Sequence, residues 1–70
     1  MMRKVLLVEN DDIVRMSLKN MKLWGSHTGF CLTGEAKDGR EALELLNRQT
    51  FDLVMADIRL PERDGVHLLV

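Results

Sequence analysis

Two short apolar runs in this sequence each end on an acidic side chain. The first spans residues 5–8 and is followed by Glu9, and the second spans residues 53–56 and is followed by Asp57. Continuous apolar runs of this length are typical of parallel strands that are covered on both faces of a sheet. Ligands of open α/β sheets bind beyond the carboxyl ends of the strands. The two runs therefore predict a sheet with an acidic pocket at one edge.

A helix is predicted over residues 13–24, with Asp11 or Asp12 as its N-cap. Its side chains repeat at three- and four-residue steps, which predicts one face directed toward the sheet. That inward face consists of Val14, Ser17, Leu18, Met21 and Trp24. The basic side chains elsewhere on the helix are interpreted as a solvated face, and they are Arg15, Lys19 and Lys22. Trp24 is expected to pack over the end of this helix, before a loop over residues 25–29.

The rest of the chain continues the alternation of strand and helix patterns. An edge strand is expected over residues 30–36. Asp38, with Glu41 three residues later, resembles a capping box at the start of a second helix. The apolar face of that helix consists of Ala42, Leu45 and Leu46. With a third helix opening at residues 66–70, the order β-α-β-α-β-α predicts an α/β fold with a parallel sheet and helices on both faces.

Composition excludes several functional classes. The 70 residues allow one small domain, and a single cysteine, Cys31, excludes an internal disulfide and suits a reducing compartment. The ten Lys and Arg residues are scattered and the net charge is −1, so no direct nucleic-acid contact is expected from this segment. No apolar run approaches the roughly 20 residues of a membrane span. We therefore expect a cytoplasmic protein without membrane contact.

The acidic strand ends have two interpretations. Converging carboxylates repel one another unless a cation lies between them, and hard oxygen ligands favour Mg²⁺. A carboxylate beside such an ion can attack a phosphoryl group and form an aspartyl phosphate. Alternatively, acids at strand ends only cap helices or accept hydrogen bonds from turn amides. The pattern alone leaves both interpretations open.

Three collinear blocks carry a more specific signal, namely residues 5–11, 34–43 and 51–61, with Asp64 and Gly65 following. Together they resemble the receiver domain of two-component response regulators, and the resemblance covers the whole chain. The segment that runs from Asn20 through Trp24 to Phe30 is more narrowly similar to receivers attached to AraC-type DNA-binding domains.

The resemblance implies a flavodoxin-like (CheY-like) doubly wound parallel sheet. It implies that Asp57 is the phosphoacceptor, which takes a phosphoryl group from a sensor histidine kinase. It also implies that Glu9, Asn10 and Asp57 hold Mg²⁺ together with the backbone carbonyl of Arg59. The implied function is that of a signalling module rather than an enzyme. Such a module switches an output domain beyond residue 70, which is expected to act in transcription and to be of a DNA-binding kind.

Position 10 departs from the family pattern, because members normally carry a carboxylate there and this chain carries Asn10. Two unit charges about 4 Å apart are worth roughly 4 kcal/mol at an effective dielectric constant of about 20, and a divalent ion doubles this. The desolvation cost that an amide avoids offsets much of the loss. We expect a net loss of about 1–3 kcal/mol, which weakens Mg²⁺ binding roughly ten- to a hundredfold without abolishing it. Asp11 compensates only if the strand end shifts by one residue, which reverses side-chain directions.

The chain also supplies fewer elements than the family fold, which has five strands and five helices. Residues 1–70 are interpreted as the N-terminal part of a single receiver domain, truncated before strand four. The family's switch hydroxyl residue after strand four and its lysine after strand five are therefore missing. In the family's strand order, 2-1-3-4-5, strand three becomes an open edge. Its apolar residues 53–55 predict self-association or domain swapping through that edge.

Three other functions are alternatives to the phosphoacceptor receiver. A pseudo-receiver, which acts as a protein-interaction module without phosphorylation, is motivated by Asn10. A small phosphatase-like enzyme with an aspartyl nucleophile usually carries a second Asp two residues later, where this chain has Arg59. A nucleotide-binding α/β module needs a Gly-rich phosphate loop after strand one, and Glu9 and Asn10 stand at that point instead.

Overall fold

The computed structural model of the protein describes residues 1–56. These residues form strands β1 (Arg3–Val8), β2 (Phe30–Ala36) and β3 (Leu53–Ala56), with helices α1 (Asp12–Lys19) and α2 (Gly39–Arg48) between them. The strand predicted over residues 30–36 is confirmed at both ends. The predicted third helix at residues 66–70 lies outside the described residues.

The three strands form one parallel sheet in the order β2-β1-β3, which confirms the predicted α/β class. Val5, Leu6 and Leu7 in the central strand are fully buried, as a continuous apolar run predicts for a strand covered on both faces. β2 and β3 are the edges of the sheet within residues 1–56. No helix in this part of the chain is long and apolar enough to cross a membrane.

Two hydrogen bonds between Lys4 of β1 and Asp52, the residue before β3, hold the start of β3 beside β1. The Lys4 amide donates to Asp52 Oδ2 at 2.7 Å, and the Asp52 amide donates to the Lys4 carbonyl at 2.7 Å. This pair of hydrogen bonds precedes the register in which Val5 lies opposite Leu53. The Asp52 carboxylate therefore has a structural role, because it helps to position the first residues of β3.

Helix α2 packs on one face of the sheet. Ala42 is buried against Leu6 and Ala36, and Val8, Leu45 and Phe51 surround this cluster as partly buried side chains. The predicted apolar face is confirmed for Ala42 and Leu45 and wrong for Leu46, which is exposed. Leu46 lies about 100° around the helix from Leu45, which places it at the margin of the apolar face, where the sheet does not cover it.

The predicted cap of α2 is confirmed. Asp38 is the N-cap, and its Oδ1 accepts the Glu41 amide at 2.9 Å. Glu41 returns a contact through its Oε1, which accepts the Lys37 amide at 2.9 Å, one residue before the cap. These reciprocal bonds satisfy backbone donors at the helix start, which an eight- to ten-residue helix needs in order to form.

Helix α1 differs from its prediction, because it ends at Lys19 with Asn20 as the C-cap rather than continuing to Trp24. Asn favours helix ends because its side chain competes for local backbone hydrogen bonds. Ser17 within α1 and Met21 beyond its end are both exposed, so the predicted inward face is wrong for both. It holds for Val14 and Leu18, which are half-buried, whereas Trp24 is half-buried but lies beyond the end of α1.

Trp24 folds back onto the end of α1, as predicted. Its indole Nε1 donates to the Leu18 carbonyl at 2.9 Å, which satisfies an acceptor at the helix C-terminus. No side chain of α1 is fully buried, so this contact supplies part of the attachment of α1 to the rest of the fold.

We expect Trp24→Phe to lower the free energy of unfolding by about 0.5–1.5 kcal/mol, because an aromatic ring is kept, although a smaller one, while the hydrogen bond to the Leu18 carbonyl is lost. Urea denaturation followed by circular dichroism measures this change. Lys22→Ala, on the same turn, is the control and should shift stability by less than about 0.5 kcal/mol. Equal stability of Trp24→Phe and the wild type would show that the indole contact contributes nothing.

Candidate functional site

The carboxyl ends of the strands lie at one level of the sheet. Val8, the last residue of β1, is in register with Ala36 of β2 and with Ala56 of β3. Glu9 follows Val8 in the chain, and Asp57 follows Ala56. Asp57 and Arg59, two of the four predicted metal-site residues, lie outside the described residues. The register therefore supports the predicted convergence from the β1 side only.

Glu9 is the acidic side chain at this edge that the fold encloses. Only 2% of the residue is exposed, and its amide donates to the Ala36 carbonyl at 2.9 Å. Its Oε2 accepts the Asp11 amide at 2.9 Å. Enclosing a carboxylate in this way is costly unless hydrogen bonds or a cation compensate it. The site is thus built around an oriented carboxylate rather than an exposed one.

Asn10 is exposed next to Glu9 and completes the part of the predicted metal site that is described. The Glu9 carboxylate and the Asn10 amide both offer oxygen atoms as metal ligands, and oxygen ligands suit Mg²⁺. Residues 1–56 contain no group of three His, Cys, Asp or Glu side chains that could hold a metal ion among themselves.

Asp11 serves as the N-cap of α1. Its Oδ1 accepts the amides of Ile13 at 2.9 Å and Val14 at 3.2 Å. This decides between the two predicted caps in favour of Asp11 over Asp12. It also argues against Asp11 as a replacement metal ligand for Asn10, because the carboxylate is engaged with helix amides.

Arg15 contacts this edge of the sheet, and the sequence interpretation missed it. Its side chain is only 19% exposed, so the prediction of a solvated face is wrong for this residue. Nη1 donates to the Glu9 carbonyl at 2.9 Å, and Nη2 lies 2.6 Å from Asp12 Oδ1. The hydrogen bond to Asp12, together with the negative charges of Asp12 and Glu35, raises the pKa of the guanidinium above its ordinary value. The available signal was the three-residue spacing of Asp12 and Arg15, which allows an ion pair on a helix.

Glu35 in β2 links α1 to the sheet. Its Oε2 accepts Lys19 Nζ at 2.8 Å, and its Oε1 lies 3.2 Å from Arg15 Nε. The Lys19 ammonium, together with Arg15, lowers the pKa of the Glu35 carboxyl. Because α1 buries no side chain completely, these ion pairs replace some of the apolar packing that normally holds a helix to a sheet.

The parallel α/β sheet and its acidic edge define a class of protein. The chain belongs to the response regulator receiver domain family, whose model matches residues 5–70. A receiver domain is a signalling phosphoacceptor module rather than an enzyme.

Curated proteins add particular relatives. Over 64 residues the chain is 41% identical to the transcriptional regulatory protein PdtaR of Mycobacterium tuberculosis, which covers 91% of this chain and 30% of that protein. Over 68 residues it is 41% identical to the transcriptional regulatory protein HptR of Staphylococcus aureus, which covers 97% of this chain and 27% of that protein. An uncharacterized response regulatory protein of Staphylococcus epidermidis matches with the same identity and coverage.

The chain therefore spans less than a third of the length of the relatives it matches. No solved structure matches it significantly. The names of PdtaR and HptR state transcriptional regulation, and none of the three names states an AraC-type domain.

Proposed function

We propose that this chain is the phosphoaccepting part of a two-component receiver, in which Asp57 takes a phosphoryl group from a sensor histidine kinase. The observation that carries the proposal is the register of β1 and β3, which pairs Val8 with Ala56. Glu9, whose carboxylate is enclosed, follows Val8 in the chain, and Asp57 follows Ala56. Membership of the receiver family supplies the chemistry that this arrangement supports.

Glu9, Asn10, Asp57 and the Arg59 carbonyl are the residues that we propose hold Mg²⁺. When bound, the ion supplies neutralisation of the charge on the transferred phosphoryl oxygens. In the transfer, an Asp57 carboxylate oxygen forms a bond to phosphorus while the bond from phosphorus to the donor breaks, and the donor keeps the electron pair. For an acyl phosphate donor, the leaving group is a carboxylate.

The contacts of Glu9 suit this role. Its amide is fixed by the Ala36 carbonyl and its Oε2 by the Asp11 amide, so the carboxylate is oriented before a ligand arrives. Because these contacts already order the Glu9 carboxylate, it loses little conformational freedom when it binds a cation. The contribution of an oriented Glu9 to cation affinity is larger at a site where Asn10 supplies no negative charge.

The consequence for the cell is also a proposal. We infer a cytoplasmic module that controls an output domain beyond residue 70 and thereby transcription, because PdtaR and HptR are transcriptional regulatory proteins. An output domain of the AraC type stays a prediction from the sequence. So does the assignment of residues 1–70 to the N-terminal part of one receiver domain.

Self-association or domain swapping through β3 likewise stays a prediction. β3 pairs with β1 on one side and is an edge of the sheet within residues 1–56. Leu53 and Val54 are 45% and 47% exposed, which is the apolar exposure that the prediction requires.

The second candidate function is a pseudo-receiver that binds a partner protein without phosphorylation. Asn10 favours it, because the weaker charge at the site lowers the occupancy by Mg²⁺ on which phosphotransfer depends. The two candidates differ in one measurable property, which is magnesium-dependent labelling at Asp57.

We expect the chain to gain one phosphoryl group when it is incubated with Mg²⁺ and acetyl phosphate, as measured by intact mass. Asp57→Asn should gain none, since an amide oxygen does not form the acyl phosphate. The matched control is Asp52→Asn, an identical change at an acid that is engaged with the Lys4 amide, and it should be labelled like the wild type.

Labelling that persists in Asp57→Asn, or that disappears equally in Asp52→Asn, contradicts Asp57 as the acceptor. Labelling that appears only after Asn10→Asp supports the pseudo-receiver instead. Both results would be independent of the kinase, because acetyl phosphate is the only phosphoryl donor in the mixture.

A further inference from the structure

Arg15 joins three pieces of the chain at the acidic edge. It reaches the carbonyl of Glu9, the carboxylate of Asp12 and, through Nε at 3.2 Å, the carboxylate of Glu35 in β2. We propose that Arg15 is a positioning residue, which fixes the loop over residues 9–12 and thereby prepares Glu9 and Asn10 for a divalent cation. This inference rests on the proposed function, because its effect on affinity requires a magnesium site at Glu9.

The peptide units on both sides of Glu9 are held. The Glu9 amide donates to the Ala36 carbonyl at 2.9 Å, and the Glu9 carbonyl accepts Arg15 Nη1 at 2.9 Å. The first bond ties Glu9 to β2, and the second ties it to α1. Without the guanidinium, the Glu9 carbonyl loses its hydrogen bond to α1, although the Asp11 amide still donates to Glu9 Oε2.

Only an arginine satisfies all three partners from one side chain. The planar guanidinium presents its donors in a fixed fork, whereas a lysine ammonium is a single flexible point charge. The Arg15 side chain is 19% exposed although α1 has no fully buried residue, so it lies inserted between the helix and the sheet. A cation in this position is compensated by the two carboxylates and the carbonyl that face it.

Lys19 provides a matched comparison on the same helix. It lies four residues after Arg15, carries the same charge and binds the same acid, since its Nζ is 2.8 Å from Glu35 Oε2. Its hydrogen bonds and ion pairs in residues 1–56 go to Glu35 and not to the loop over residues 9–12. A difference between Arg15→Ala and Lys19→Ala therefore isolates the contact with the loop.

The positioning role and simple electrostatics predict opposite signs. Removing a cation near a metal site reduces repulsion, so charge alone predicts tighter Mg²⁺ binding by Arg15→Ala. Loss of an anchor behind a metal ligand predicts weaker binding, by about tenfold. We expect the tenfold weakening in Arg15→Ala, a smaller weakening in Arg15→Lys, and unchanged or slightly tighter binding in Lys19→Ala. Mg²⁺ titration of the full chain by calorimetry measures these affinities.

A second readout needs no metal. Hydrogen exchange of the Asp11 amide, which donates to Glu9 Oε2, reports the order of the loop directly. We expect exchange about tenfold faster in Arg15→Ala and unchanged in Lys19→Ala. The amides of Leu6 and Leu7 in the central strand report global unfolding and should keep their wild-type rates. Arg15→Lys is the variant to compare if Arg15→Ala does not fold.

Arg15→Ala that binds Mg²⁺ at least as tightly as the wild type, with Asp11 exchange unchanged, would overturn the proposal. Equal effects of Arg15→Ala and Lys19→Ala would overturn it as well, because they would reflect the ion pairs with Glu35. If the wild type itself binds no Mg²⁺, the proposed function fails. The Asp11 exchange rate then decides the role of Arg15 by itself, and an unchanged rate rejects it.

Discussion

Asn10→Asp is expected to tighten Mg²⁺ binding roughly ten- to a hundredfold, which corresponds to about 1–3 kcal/mol. The change restores a full negative charge beside the enclosed Glu9 carboxylate, while the oxygen donor and its position are kept. Calorimetric titration of the wild type and the variant with MgCl₂ measures the two dissociation constants. The structure sharpens this expectation, because Asp11 caps α1 and does not replace the missing charge.

The same substitution is expected to destabilise the protein without metal. A second carboxylate beside Glu9 repels the first, so the free energy of unfolding should fall when Mg²⁺ is removed by a chelator. Asn47→Asp adds the same charge in the last turn of α2 and serves as the control, with no change in Mg²⁺ affinity. Equal affinities of the wild type and Asn10→Asp would contradict the assignment of position 10 as a ligand.

Gly34→Ala is expected to lower the free energy of unfolding by about 1–3 kcal/mol. A Cβ atom at Gly34 would lie 2.8 Å from Phe51 Cζ and 3.3 Å from Leu6 Cδ1. Phe51 packs against the cluster under α2, so its ring moves only at the expense of core contacts. Restricting the unfolded chain favours Ala by about 0.4–1 kcal/mol, which is smaller than the expected cost of overpacking.

Gly39→Ala is the matched control and should have the opposite sign. Gly39 opens α2, and nothing lies within 4 Å of a Cβ atom built there. The reduction in unfolded-state entropy then acts alone and stabilises the protein by about 0.4–1 kcal/mol. Urea denaturation followed by Trp24 fluorescence measures both variants, since Trp24 is the single tryptophan of the chain.

A double-mutant cycle tests the physical reason. Phe51→Leu shortens the ring that the new Cβ meets, so Gly34→Ala should cost less in that background than in the wild type. Additive effects of the two substitutions would show that the clash with Phe51 does not account for the destabilisation.

Residues near in sequence carried the predictions that the structure confirms. The cap at Asp38 depends on a side chain and an amide three residues apart, and the burial of Leu6 and Leu7 depends on an uninterrupted apolar run. Both are local signals, so sequence spacing alone identifies them. The sequence predicts that either Asp11 or Asp12 is the N-cap of α1. The hydrogen bonds of Asp11 identify it as the cap.

Predictions that needed distant partners were less complete. A helical wheel predicts Arg15 to be a surface cation. Its ion pair with Glu35 depends on the fold, because β2 brings Glu35 beside it from 20 positions further along the chain. The predicted α1 is too long at its C-terminal end, because Trp24 fits the helical repeat although α1 ends at Lys19. The residue instead returns from beyond the turn at Asn20 to meet the Leu18 carbonyl.

The alternation of strands and helices, the buried central strand and the acids that follow the apolar runs can all be predicted from the sequence, because periodicity and caps are properties of neighbouring residues. The register that brings Val8 level with Ala56, the close approach of Gly34 and Phe51, the burial of Glu9 and the partial burial of Arg15 depend on the tertiary structure. These features depend on pairing and packing between residues far apart in the chain, where the choice among many partners is made by the fold as a whole.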